Sequence, residues 1–391
     1  MPSRPCDGRR EPLRGHIIRG DLQWDLRGQD IGATLDRSSA LLLILRFLLG
    51  LVLLVAGAEL LVRGASQLAR TWGISSLVIG LTVVAFGTSA PEMAVSVMAT
   101  VDGLPDIAVG NVVGSNIFNV LFILGISAVV ASLSVSTQLV RIDVPVMVAA
   151  SFVLWGFVLD GRLGLLESVL MVGGLVAYTS LLIRMSRRET AAEKPAGDGA
   201  PEPGRPLRDI LIVLIGLVML VIGSRWLVAG ATVLARYFGV SELIIGLTII
   251  AAGTSLPELA TSVLATARGQ RDIAVGNVVG SNLFNILGIL GVSGIVGGGI
   301  AVSPLAVSFD IPVMTAVAIA CLPIFFSGHG ISRWEGLLFL CYYCAYTVYL
   351  ILAATQHDAL PMFSRVMLVY ALPLTVLALV VSSVRRLARR T

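Results

Sequence analysis

The chain has 391 residues, 56% of them hydrophobic and only 13% charged, with a net charge of +4 and a mean hydropathy of +0.91. A water-soluble domain carries about a quarter charged residues, so the composition excludes one. Apolar runs of roughly eighteen or more residues recur along most of the length, each able to cross a bilayer of about 30 Å as a helix. The chain reads as a polytopic α-helical protein of the cell (inner or plasma) membrane, with the lipid bilayer as its surroundings and no nucleic-acid partner.

Residues 1–39 are rich in arginine (Arg4, Arg9, Arg10, Arg14, Arg19, Arg27, Arg37) and lack a long apolar run. They read as a disordered extension; a signal peptide would pass directly from its basic start into a short apolar core. Five helices are then predicted, over residues 40–62, 74–100, 107–130, about 143–160 and 163–183, with Arg63 and Arg70 flanking a short loop. Residues 40–183 thus form one unit. Residues 184–208 are rich in charge, Pro and Gly and form a linker, since such a stretch buries too little apolar surface to fold. Five more helices follow over 210–227, 241–267, 273–296, 312–326 and 334–354, making a second unit of residues 209–355. A further apolar run at 361–384 is predicted as an eleventh membrane helix, before a basic tail at 385–391.

The two units carry the same polar stretch. Gly87-Thr88-Ser89-Ala90-Pro91-Glu92 recurs as Gly253-Thr254-Ser255-Leu256-Pro257-Glu258, and Gly110-Asn-Val-Val-Gly-Ser-Asn-Ile-Phe-Asn119 recurs as Gly276-Asn-Val-Val-Gly-Ser-Asn-Leu-Phe-Asn285. The offset is constant at 166 residues (258 − 92, 285 − 119). Duplication of one ancestral segment explains this. Because each unit has five helices, an odd number, the second enters the membrane from the opposite side. That is an inverted-topology repeat, which in secondary transporters places the site between the repeats near the midplane. With residues 184–208 in the cytoplasm, Arg63, Arg70, Arg141, Arg268, Arg271, Arg333 and the 385–391 tail also fall inside, and Arg162, Arg236 and Arg365 outside. The arginines of residues 1–39 run against this assignment.

Within each motif, the proline removes a backbone donor and clashes one turn back, while the glycine loosens the backbone. A kink or unwinding is predicted that frees carbonyls around Ala85 to Thr88 and around Ala251 to Thr254. Irregular backbone at membrane depth is tolerated where it lines a cavity. Thr88, Ser89, Thr254 and Ser255 add hydroxyls, and Glu92 and Glu258 add carboxylates. On the following helix Asn111, Ser115 and Asn119 share a face. Every donor is oxygen, which suits hard cations: calcium, sodium or magnesium. Two carboxylates neutralise one divalent ion, and a flexible cage favours calcium over magnesium. Asp143, Asp310, Asp106 and Asp272 read as helix caps. Cys6, Cys321, Cys341 and Cys344 are scattered and the three histidines form no cluster, so no transition metal or other cofactor is expected.

At these residues the chain resembles the cation/calcium exchanger superfamily, and within it the prokaryotic sodium/calcium exchangers. The resemblance covers about residues 40–355, with both Gly-Thr-Ser-x-Pro-Glu copies and both Gly-Asn-Val-Val-Gly-Ser-Asn copies in order. It implies a ten-helix fold of two inverted five-helix repeats, here with one extra C-terminal helix. Helices 2, 3, 7 and 8 would form the ion-binding core, and helices 1 and 6 would slide against it during alternating access. It implies exchange of Na+ for Ca2+, with calcium held by Glu92 and Glu258 helped by Thr88 and Thr254. It implies sodium sites from Ala85, Ser89 and Ser281 and from Ala251, Ser255 and Ser115, with Asn119 as the central Asn. Asn285 departs from the many relatives that carry Asp there, which leaves the core one negative charge short. Calcium/proton or other divalent exchange and a cation channel stay open as alternatives. An intramembrane enzyme is disfavoured, because Gly-Thr-Ser has no His or Lys partner nearby.

Overall fold

The computed structural model describes residues 37–192, 206–240, 242–245, 248–249, 251–328 and 330–376. Predictions for residues 1–36, for the middle of the linker and for the basic tail lie outside that set.

Helix α1 spans Arg37–Trp72 and passes through Arg63 and Arg70 without a loop. It stops only at Gly73, whose φ of +63° lets the Ile74 amide close back on the Ala69 carbonyl at 3.0 Å. Its repeat partner α6 (Pro206–Tyr237) likewise runs on past residue 227. It ends in the same cap, with Gly239 at φ +74° and Val240 N–H on the Ala235 carbonyl at 3.0 Å. Hydropathy marks the membrane part of such a helix, whereas a terminator in the left-handed region marks its end. The linker shrinks for the same reason: α5 (Leu165–Ala192) continues through Arg184, Arg187 and Arg188, and α6 begins at Pro206.

Helix α2 is broken into Ser76–Thr88 and Ala90–Val101, which meet at 47°. Helix α7 includes the short pieces Glu242–Ile245 and Ala251–Gly253 and, after Ser255, Leu256–Ala267. The remaining elements are α3 (Pro105–Val130), α4 (Leu139–Phe157), α8 (Arg271–Gly297), α9 (Ala306–Phe326), α10 (Arg333–Ala354) and α11 (Leu360–Val376). The described part of α11 is shorter than the predicted 361–384, whose last eight residues lie outside the described set. Helices α3 and α8 are buried along most of their length and form the centre, flanked by the two broken helices.

The inversion is visible where α1 meets α6. A side chain at Gly57 would strike the Gly216 carbonyl at 2.8 Å, one at Gly50 would meet the Gly223 carbonyl at 3.0 Å, and one at Gly230 would meet Phe47 at 2.9 Å. Numbers rise on one helix as they fall on the other, so the two repeat-equivalent helices run antiparallel. Two short ladders tie the repeats at their ends: Leu133–Ser134 pairs antiparallel with Gly330–Ile331, and Arg162–Leu163 with Ile300–Ala301. Each strand of one repeat thus takes a partner from the other.

The predicted caps are corrected. The residues capping α3 and α8 are Leu104 and Gln270, and Asp106 and Asp272 sit in the first turns, where a negative charge still suits the positive end of the helix. Asp143 makes no capping bond. It lies in a wide π-helical turn (Leu139–Asp143) that starts α4 earlier than its proline suggests. It is fully buried and accepts from Tyr178 Oη at 2.9 Å and from the Gln138 amide at 3.3 Å. Asp310 occupies the matching wide turn, Ala306–Asp310, and is helical there as well.

Candidate functional site

Both breaks fall on the serine of the motif. Ser89 (φ −82°, ψ 7°) alone leaves the helix in the first copy, and Thr254 with Ser255 (φ −86°, ψ 9°) in the second; the next segment restarts with proline in its first turn and glutamate just behind it. Proline tolerates that position because its missing N–H has no intrahelical partner there. The break is narrower than predicted. The Ala85 carbonyl still accepts the Ser89 N–H at 3.0 Å, with Thr88 Oγ1 3.3 Å away, so it is not freed. For Ala251 only the backbone is described, as the first residue of the piece Ala251–Gly253.

The two breaks meet and exchange partners. Ser89 Oγ donates to Glu258 Oε1 at 2.9 Å, and Ser255 Oγ lies 2.9 Å from Glu92 Oε1 and 3.1 Å from Ser115 Oγ. Thr88 Oγ1 donates to Asn277 Oδ1 at 3.1 Å, and Thr254 Oγ1 to Asn111 Oδ1 at 3.4 Å. These amides are themselves held: Asn111 Nδ2 donates to the Glu92 carbonyl (3.2 Å) and Ser96 Oγ (3.0 Å), and Asn277 Nδ2 to the Glu258 carbonyl (3.4 Å) and Ser262 Oγ (2.9 Å). A hydroxyl has one proton. Where it is spent on a serine–glutamate or threonine–asparagine bond, the hydroxyl's lone pairs remain.

Glu92 and Glu258 are each 1% exposed, and one carboxylate oxygen of each, Oε2, has no partner. Asn119 Oδ1, Asn285 Oδ1 and Ser281 Oγ are likewise buried without partners. Ser281 lies between Asn277 and Asn285 on α8, where i, i+4 spacing puts all three on one face. Buried polar atoms are almost always satisfied, so these five orphaned oxygens on α2, α3, α7 and α8 call for a partner that hydrogen bonds within the chain do not supply. Bonds between the repeats thus join Glu92, Glu258, Thr88, Thr254, Ser89, Ser255 and Ser115 through α2, α3, α7 and α8, and a second set of bonds holds Asn119 and Asn285 between α3 and α8. Ser96 and Ser262 belong to the first set, through Asn111 and Asn277, and Asn116 and Asn282 to the second; none of the four was singled out from the sequence. The signal for them was present, since each pair obeys the 166-residue offset (262 − 96, 282 − 116) on these same helices.

Glycine sets how closely the frame packs. A Cβ at Gly280 would lie 2.6 Å from the Leu81 carbonyl oxygen, and one at Gly276 2.9 Å from that of Leu77. Helix α8 therefore touches the backbone of α2, which brings Asn277 and Ser281 to the broken helix.

A family profile described as sodium/calcium exchanger protein matches residues 42–184 and 209–352, one match for each repeat. The inner membrane protein YrbG of Escherichia coli is 40% identical over 283 residues, covering 70% of this chain and 85% of that protein. The sodium/calcium exchanger MaX1 of Methanosarcina acetivorans is 33% identical over 339 residues, covering 78% and 97%. Among solved structures, the sodium-calcium exchanger NCX_Mj soaked with 10 mM Na+ and zero Ca2+ superposes with a TM-score of 0.67 at 29% identity, over 78% of this chain and 97% of that one. The profile matches both inverted repeats, and MaX1 is 33% identical over 78% of this chain: the chain belongs to the sodium/calcium exchanger protein family.

Proposed function

We propose that this chain is a secondary active antiporter that exchanges Na+ for Ca2+ by alternating access, with the ions held between Glu92 and Glu258. The observation that carries the reading is the crosswise pairing of Ser89 with Glu258 and Ser255 with Glu92, which leaves the second oxygen of each carboxylate buried and unpartnered. Two buried negative charges, each with one oxygen unpartnered, are costly, and a divalent cation between them would cancel both. Thr88 and Thr254, with their protons on Asn277 and Asn111, would add neutral oxygens to the calcium shell. Sodium would use Ser89, Ser281 and the Ala85 carbonyl on one side, and Ser255, Ser115 and the Ala251 carbonyl on the other; Asn119 and Asn285 would stand centrally and offer Oδ1 to either ion. The Ala85 carbonyl, which accepts the Ser89 N–H at 3.0 Å, keeps a second lone pair for the ion once the Thr88 proton is on Asn277. The names of MaX1 and NCX_Mj support sodium as the counter-ion. The name of YrbG supports an inner or plasma membrane. The cycle needs neither a cofactor nor a catalytic residue.

Calcium leaves a core of charge −2 neutral; with three sodium ions per calcium, as the family resemblance suggests, sodium leaves it at +1 and the exchange should be electrogenic. One elementary charge across about 100 mV is worth about 2.3 kcal/mol. The test is radiolabelled calcium uptake into sodium-loaded proteoliposomes under a potassium–valinomycin clamp. Uptake should require the outward sodium gradient, respond to voltage and vanish in Glu92→Gln and in Glu258→Gln. Full activity in either variant contradicts the paired-carboxylate site. Uptake driven by a pH gradient without sodium would make the protein a calcium/proton exchanger instead.

A further inference from the structure

The four asparagines Asn116, Asn119, Asn282 and Asn285 are each at most 2% exposed and form one network between α3 and α8. Its direction is dictated by the main chain. Asn116 Nδ2 donates to the Asn282 backbone carbonyl at 3.4 Å and faces Met314 Sδ at 3.4 Å; Asn282 Nδ2 donates to the Asn116 carbonyl at 3.4 Å and faces Met147 Sδ at 3.6 Å. Carbonyl oxygens and thioether sulfurs accept and never donate. Asn116 must therefore turn its nitrogen toward residue 282 and its oxygen away. That oxygen accepts Asn285 Nδ2 at 3.0 Å, and Asn282 Oδ1 accepts Asn119 Nδ2 at 2.9 Å. With their nitrogens committed, Asn119 and Asn285 have only Oδ1 left to present, and both of those oxygens are buried without partners.

We infer that Asn116 and Asn282 are positioning residues for cation binding: they hold the side-chain amides of Asn285 and Asn119 with oxygen, and not nitrogen, toward the ions. The inference rests on the ion-site reading above. The two ends of a carboxamide are nearly equal in size, so shape does not prevent Asn119 or Asn285 from flipping. A flipped amide would aim N–H groups at a cation, and one ligand would become a repulsive dipole. The choice is made by the neighbour, which is itself oriented by a backbone carbonyl of the opposite repeat. The network is matched to asparagine at 285: an aspartate there would place an acceptor against Asn116 Oδ1.

The test is a double-mutant cycle on the full-length protein in detergent, read by calcium binding without sodium, with size-exclusion profile and melting temperature as controls for folding. A carboxylate carries oxygen on both arms, so its orientation does not matter. Asn116→Leu should weaken calcium binding at least about tenfold when residue 285 is Asn, a change of about 1.4 kcal/mol. In the Asn285→Asp background the same substitution removes an acceptor that faces the carboxylate and should weaken binding by less than about twofold, or strengthen it. The mirror cycle, Asn282→Leu with Asn119→Asp, should behave alike, and Asn116→Ser replaces the leucine variant if that one does not fold. Equal losses in both backgrounds mean that residue 116 acts through packing alone and overturn the inference. In that event Glu92→Gln separates the two readings. Lost calcium binding in that variant leaves the ion site standing without the orienting role, and unchanged binding removes both.

Discussion

Each hydroxyl of the site carries one proton, and its destination decides what the oxygen offers to an ion. Thr88 spends its proton on Asn277 and Thr254 on Asn111, both across the repeat boundary. Thr88→Val and Thr254→Val remove one neutral ligand and strand one amide oxygen. Each should weaken calcium affinity by roughly fivefold to tenfold, about 1 to 1.5 kcal/mol, while uptake stays measurable, unlike in the glutamine variants at 92 and 258. Calcium dependence of uptake in liposomes reads this directly. Residue 285 sets proton sensitivity. The wild-type centre has two carboxylates and neutral amides at 119 and 285. Asn285→Asp adds a third ionisable group that assists calcium when charged and loses that role when protonated. Sodium-driven uptake in that variant should therefore fall more steeply on acidification than in the wild type, and superimposable pH curves would count against this.

Between elements, close packing of backbones replaces the hydrophobic effect, which does little inside a bilayer. Helices α1 and α6 meet through Gly50, Gly57 and Gly64 on one side and Gly216, Gly223 and Gly230 on the other, each set spaced by seven residues. These sets are also repeat partners (216 − 50, 223 − 57 and 230 − 64 all equal 166). Any side chain at Gly57 or Gly216 would overlap opposing backbone at 2.7–2.9 Å. Gly57→Leu should force the helices apart, lower the melting temperature and abolish exchange. Gly174→Leu is the control, because a Cβ there meets nothing within 4 Å and the residue is exposed on α5. Equal melting temperatures for the two variants would show that α1 and α6 do not depend on this contact.

Over the whole molecule, charge and contacts sort the two ends. Glu59 bonds both Arg63 and Arg268; near the same end Thr71 Oγ1 donates to Asp209 at 3.2 Å and the Ser75 N–H to Ser186 Oγ at 2.7 Å. Residues flanking the 193–205 linker thus share an end with Arg63 and Arg268. The opposite end carries the Arg162–Leu163 ladder, where Arg162 Nη2 reaches the Gly298 carbonyl at 3.3 Å. With basic residues on the cytoplasmic side, single cysteines at Ala196 and Ala267 in a cysteine-free background should be protected from a membrane-impermeant reagent added to intact cells. Cysteines at Asp102 and Asp160 should react. Labelling of Ala267→Cys from outside would reverse the assignment.

The sequence by itself determined the class, the repeat and the charge-bearing residues. Membrane helices announce themselves by uninterrupted apolar length, and a duplicated motif shows which polar residues belong together because their spacing is kept. The Pro–Glu pairs located both helix breaks, since proline cannot continue a hydrogen-bonded turn. Helix ends were legible only in part: α1 and α6 stop at the left-handed glycines 73 and 239, well past the last apolar residue of the predicted spans. Only the tertiary structure decided which hydroxyl faces which carboxylate, because Ser89 with Glu258 and Ser255 with Glu92 are contacts across 169 and 163 residues. It alone showed that Asp143 is a buried acceptor for Tyr178 and not a cap, and that Asn116 and Asn282 are tied to carbonyls of the opposite repeat. The orientation of a polar side chain depends on the neighbour that satisfies it, and in this chain those neighbours come from the other half.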